Sequence, residues 1–374
     1  MKKTKKIVFL LLFFSVLTFI FSFSSFAYSE EVDFTSEKDE TVSDLMKEFS
    51  EVIPSESGII LDEDDLINSI GFDRMIKSVL DSLCGKSSEL LVFLVTVIGF
   101  AVLSTVSESA EFLSPQMQKN ASSGVCIIMA VTTYPTVYSV FESVGKSLDS
   151  AVSFFGTALP IMTAISTASG AVKTAAVQAM NMNIILGIVG NVATEILLPL
   201  SFAMLALARV SSLNDSGVGN VAKGIKGLFT FGLGIVSAVS SAAITLQTVI
   251  ASASDSAALR AARYAAGGLI PVVGSSVSSA LSTLAGGLAY VKSAVGAAAI
   301  AVVSSITIAP LVLLLCYRLT FSLAADFLDY ASDSGAKRCF LAYRTAFDTV
   351  IAVHVMSTLV CIIQIIVFIK GGVA

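Results

Sequence analysis

Between residues 90 and 369 the chain returns repeatedly to runs of about twenty residues that are apolar almost throughout, the length a helix needs to cross a hydrocarbon layer about 30 Å thick. These candidate spans fall at residues 90–106, 122–141, 148–168, 184–208, 225–250, 294–317 and 347–369. Only 14% of the chain is charged and 55% is hydrophobic, whereas soluble domains carry about 25% charged residues. The excess apolar surface has to face lipid or other helices. The pattern predicts an all-α, polytopic membrane helix bundle of about seven to eight spans.

The N-terminus has a different character. Met1 to Lys6 read M-K-K-T-K-K, residues 7–23 are almost wholly apolar, and Ser25-Phe26-Ala27 places small residues where a signal peptidase inspects them. Residues 1–27 are therefore expected to be a signal peptide; an uncleaved anchor is the alternative, and both put Tyr28 onward outside the cytoplasm. Residues 28–66 form an acidic, solvated leader, with fourteen Asp or Glu against Lys38 and Lys47 between residues 30 and 65. With a net charge of −5 the chain has no basic field to hold nucleic acid. Residues 67–88 space Ile67, Ile70, Ile76, Val79, Leu80 and Leu83 as an amphipathic helix. The transmembrane bundle is then expected over residues 89–370.

Within it, residues 251–293 are nearly all Ala, Ser, Gly, Leu and Val, interrupted by Asp255, Arg260, Arg263, Tyr264, Pro271 and Lys292, with breakers at Gly267, Gly268, Gly274, Gly286 and Gly287. The stretch reads as one span or as two half-spans. Such backbone persists in a membrane only where protein or a wet cavity surrounds it, so it is expected inside the bundle. Residues 318–346 combine Arg318, Lys337, Arg338 and Arg344 with Phe321, Leu323, Phe327, Leu328, Phe340 and Leu341. This amphipathic loop reads as a surface helical hairpin on the cytoplasmic side.

The chemistry-bearing residues are few. His354 is the single histidine, so a multi-histidine metal site is impossible, and no H-E-x-x-H, Walker loop or G-x-S-x-G elbow is present. No enzyme, cofactor or metal site is expected. His354 itself reads as a helix–helix hydrogen bond. Cys84, Cys126, Cys316, Cys339 and Cys361 form no C-x-x-C pair, and those in apolar runs are expected to pack as hydrophobes. Glu195, in an apolar span interrupted by Pro199, is the first functional candidate, because an ionisable group at that depth needs a partner or a wet cavity; a structural hydrogen bond or a position near the interface is the alternative. Arg260 and Arg263, one helical step apart, come next with Asp255, either as an ion-pair network or as a solvated loop.

Leu246-Gln247-Thr248, the run Ser256 to Tyr264 (S-A-A-L-R-A-A-R-Y) and Leu269 to Gly274 (L-I-P-V-V-G) resemble the stage III sporulation protein AE family, and the overall layout is similar along most of the chain. The resemblance implies a multi-pass, non-enzymatic protein of the mother-cell membrane around the forespore. It would be a membrane core, export-gate-like or permease-like, of a secretion-like complex that includes other membrane proteins and a cytoplasmic secretion-type ATPase. It brings no ligand set, so Arg260, Arg263, Pro271 and Gly274 are motif positions only. Two alternatives stand beside it: a self-contained secondary transporter built on Glu195, and a passive scaffold.

Overall fold

A computed structural model describes residues 72–110, 114–168, 172–210, 224–242, 245, 274–331 and 335–370. The expected signal peptide, the acidic leader and most of the segment at 251–293 lie outside these residues. The described residues contain no strand: they form α1 (Phe72–Glu108), α2 (Pro115–Ala168), α3 (Val172–Gly187), a π-helical run (Ile188–Leu197), α4 (Leu198–Val210), α5 (Gly224–Ala242), α6 (Gly274–Ala331) and α7 (Gly335–Lys370). Six stretches among them are long and apolar enough to cross a membrane. An all-α membrane bundle is thus what the chain forms.

The helices are longer than the apolar runs suggested. Residues 67–88 were expected as a separate amphipathic helix, but α1 continues from Phe72 through to Glu108. The spans expected at 122–141 and 148–168 are halves of one 54-residue helix, α2. The charges between them, Glu142 and Lys146, do not break a helix, and Lys146 Nζ lies 2.9 Å from Glu142 Oε1 one turn away. Residues 318–346, expected as a surface helical hairpin, are helical on both sides of residues 332–334. They extend α6 and α7 into one long antiparallel hairpin, in which Phe321, Leu328 and Phe340 are buried in protein while Leu323, Phe327 and Leu341 are exposed.

That hairpin is the spine of the molecule. On α7 the residues Ala336, Phe340, Tyr343, Phe347 and Val350, then His354, Ser357, Cys361, Gln364 and Phe368, alternate by four and three, and all are buried. This is the spacing that keeps one stripe of a helix against a neighbour. Their partners step backwards along α6 in constant register. Phe321 stacks on Tyr343 (4.8 Å between ring centres), Arg318 Nε meets Asp348 Oδ1 at 2.5 Å, His354 meets Thr307, and Lys292 lies 5.2 Å over the ring of Phe368. Gly296 permits the approach near the far end, where an added Cβ would overlap the Ile369 side chain.

The other helices pack around this spine in two groups. Phe93 of α1 meets Tyr317 and Phe321 edge-on (4.7 and 5.6 Å), and Phe141 of α2 meets Phe347 (5.0 Å). With Leu198, Leu205, Phe229 and Val236 these residues make one core around the hairpin's closed half. A second core gathers Phe154, Ile165, Met182, Val295, Val302 and Phe368 around its open half. The α3–π–α4 column runs antiparallel to α2, with Gly190 against Val152, Gly145 against Leu198 and Phe202 against Tyr138. The π-helical run ends just before Pro199, which has no N–H for the carbonyl of Glu195. Leu198 N–H donates instead to the Ala193 carbonyl, five residues back.

Candidate functional site

The stripe on α7 changes character halfway. In the closed half of the hairpin it is aromatic; from His354 onward it is polar, with His354 0%, Ser357 1% and Gln364 1% exposed. Facing it on α6 are Lys292, Ser304 and Thr307, also buried. Polar groups so deep in an apolar bundle are costly unless hydrogen-bonded, so each one's partner matters.

Pro310 organises the centre of this seam. It lacks an amide hydrogen and so leaves the carbonyl of Ile306 without its α-helical donor. The Ser147 hydroxyl of α2 donates to that carbonyl at 3.0 Å. One residue on, the Thr307 carbonyl meets His354 Nε2 at 2.7 Å. A carbonyl only accepts, so Nε2 carries the hydrogen and Nδ1 is left as an acceptor. The bond expected from His354 between helices is therefore present, and Ser147, Ile306, Thr307 and His354 join α2, α6 and α7 at one level. Nearby, Thr349 Oγ1 donates to Ser201 Oγ at 3.2 Å and ties α7 to α4.

Three polar atoms of the seam are buried without a hydrogen-bond partner among the described residues: His354 Nδ1 and both amide atoms of Gln364. A neutral amide with neither end satisfied costs roughly 1 to 3 kcal/mol in a dry interior. Such an arrangement is suited to small hydrogen-bonding guests such as water, or to polar groups brought by a rearrangement of the hairpin.

Glu195 is not part of this seam. It lies in the π-helical run and is exposed on the outside of the bundle, with no hydrogen bond or ion pair among the described residues. Asp255, Arg260, Arg263 and Pro271 lie outside the described residues, and Gly274 is the first residue of α6. Sequence reasoning passed over Gln364, Thr307 and Pro310. The signal was available in the four-three spacing of α7, which puts His354, Ser357 and Gln364 on one line with Phe340 and Phe347.

The family model described as Stage III sporulation protein AE matches residues 59–372. Stage III sporulation protein AE of Bacillus subtilis (strain 168) is 21% identical over 334 residues, which cover 88% of this chain and 84% of that protein. No solved structure matches the chain.

Proposed function

Starting from the fact that the chain belongs to the stage III sporulation protein AE family, we propose that it is the membrane core subunit, export-gate-like or permease-like, of a channel or secretion-like complex linking mother cell and forespore. The observation that carries this reading is the inverted polarity of the bundle. Leu91, Val92, Val95, Val131 and Phe231 are more than 60% exposed, while His354, Ser357 and Gln364 are sealed inside. An exterior of this kind suits lipid and neighbouring helices, and polar groups inside a membrane bundle mark a path or a moving part.

On this reading the chain works without catalysis or cofactor, sits in the mother-cell membrane around the forespore with its N-terminal leader extracytoplasmic, and acts with other membrane subunits and a cytoplasmic secretion-type ATPase. The self-contained transporter has less support: it needs an interior carboxylate, and Glu195 is on the outside. A tagged full-length chain, isolated in mild detergent from sporulating cells, tests the proposal. Co-purification of a secretion-type ATPase and further membrane proteins is expected. Recovery of the chain alone, together with substrate transport by the purified chain in vesicles, would favour the transporter instead.

A further inference from the structure

The open end of the hairpin gathers more buried polar side chains than the stripe of α7 supplies by itself. Lys292 of α6 is 1% exposed, and its Nζ lies 5.2 Å over the Phe368 ring of α7. On α3 the buried stripe is Ala175, Gln178, Met182 and Ile185, continued by Val189, and Ile185 and Val189 cluster with Val360 of α7. Because α3 runs antiparallel to α7, two turns back along α3 and two turns on along α7 bring Gln178 level with Phe368. The same register sets Asn181 level with Gln364. Met182 and Phe368 share the second core with Val291 and Val295, which flank Lys292. Lys292, Gln178, Asn181 and Gln364 thus come to one end of the bundle from three helices, all of them buried.

Donors dominate this cluster. Gln178 Nε2 and Gln364 Nε2 are buried with no hydrogen-bond partner among the described residues. Asn181 contributes a third amide, and Lys292 brings an ammonium with three N–H bonds. The surroundings are positive as well. Lys173 stands in the first turn of α3 and Lys370 is the last residue of α7. Residues 150–168 of α2, 172–187 of α3, 274–325 of α6 and 349–370 of α7 hold no Asp or Glu. Asp149 and Glu195, the first acids beyond these ranges on α2 and the π-helical run, are exposed.

A guest that meets these groups carries negative charge and several oxygen acceptors. Lys292 repels a cation, and an apolar guest leaves the amide donors unmet. Lysine binds phosphate as a point charge, and basic pockets between transmembrane helices hold phosphate headgroups. The position suits that chemistry: α2, α3 and α7 all end within about two turns of the Phe368 level, at Ala168, Val172 and Lys370, while α6 runs on. We propose that the open end of the hairpin is a binding site for a phosphate group, held by Lys292 and the amides of Gln178 and Asn181, with Gln364 one turn deeper. The site rests on the helix bundle itself and on no partner of the complex.

The test titrates the full-length chain, purified in an uncharged detergent, with phosphatidylglycerol, with inorganic phosphate, and with a galactolipid of the same acyl chains that has no phosphate. Binding is read by native mass spectrometry and by the thermal midpoint, which a ligand of the folded state raises. Phosphatidylglycerol, inorganic phosphate or both should bind and raise the midpoint, and the galactolipid should do neither. A response to the lipid alone identifies a headgroup as the source, and a response to inorganic phosphate identifies a soluble one. Lys292→Met should weaken binding at least tenfold, and Lys292→Arg should restore most of it. Because loss of a buried lysine can unfold the chain, Gln178→Leu gives a second reading: the midpoint without ligand should hold or rise, since an unmet donor is removed, while phosphate affinity falls severalfold. Lys173→Gln, at an exposed lysine, should change affinity less than twofold. An equal response to the galactolipid, no phosphate binding at all, or binding that survives Gln178→Leu and disappears in Lys173→Gln overturns the proposal.

Discussion

Pro310 removes the donor that the Ile306 carbonyl would otherwise have, and Ser147 on α2 replaces it at 3.0 Å. Ser147→Ala should lower the thermal midpoint in detergent by the equivalent of about 1 to 3 kcal/mol, the cost of an orphaned buried acceptor. In Ser147→Ala/Pro310→Ala the backbone donor returns, so most of that loss should be recovered; a double variant no better than the single one would show that the hydroxyl acts otherwise. The opposite sign is expected at Gln364. Its amide is buried with both ends unpartnered among the described residues, so Gln364→Leu should leave the midpoint unchanged or raise it, since it replaces an unmet polar group with an apolar one of similar size. A clear fall in the midpoint would mean that a bound water or another partner satisfies the amide.

Between elements, the Arg318–Asp348 pair locks the register of α6 against α7 where the aromatic half of the stripe gives way to the polar half. Arg318→Ala should destabilise the hairpin by about 1 kcal/mol, because the Asp348 side chain remains 40% exposed and water screens the pair. The charge-swapped Arg318→Asp/Asp348→Arg should recover part of the loss in the same melt, and equal loss in both variants would deny the pairing. At this scale the sequence was only partly legible. Apolar runs announce helices because burial follows composition, but they do not say where a helix stops. Glu142 and Lys146 look like a boundary and are the middle of α2, whereas the helical hairpin expected at residues 318–346 is present as the ends of two much longer helices. Charge marks a change of surroundings, and a long helix passes through several. The exposure of Glu195 was not legible for a related reason: a span apolar on all faces gives no direction, so its depth in sequence carries no information about its side of the bundle. His354 was read correctly as a helix–helix bond, because a lone imidazole among apolar residues needs a carbonyl or hydroxyl from a neighbour.

For the whole molecule, the spine made by α6 and α7 joins the two cores, and its polar half is an interior feature that an apolar scaffold alone would not need. A stable bundle is easier to build with leucine at His354 and Gln364, so a seam kept polar at the expense of stability suggests use in transport or assembly. The most direct measurement gives sporulating cells His354→Leu or Gln364→Leu as the sole copy, and compares membrane accumulation of the protein with the yield of heat-resistant spores. The account predicts that both variants accumulate in the membrane as the wild type does while the spore yield collapses. Full spore yield from variants present at normal levels would contradict it and leave the chain as a passive scaffold.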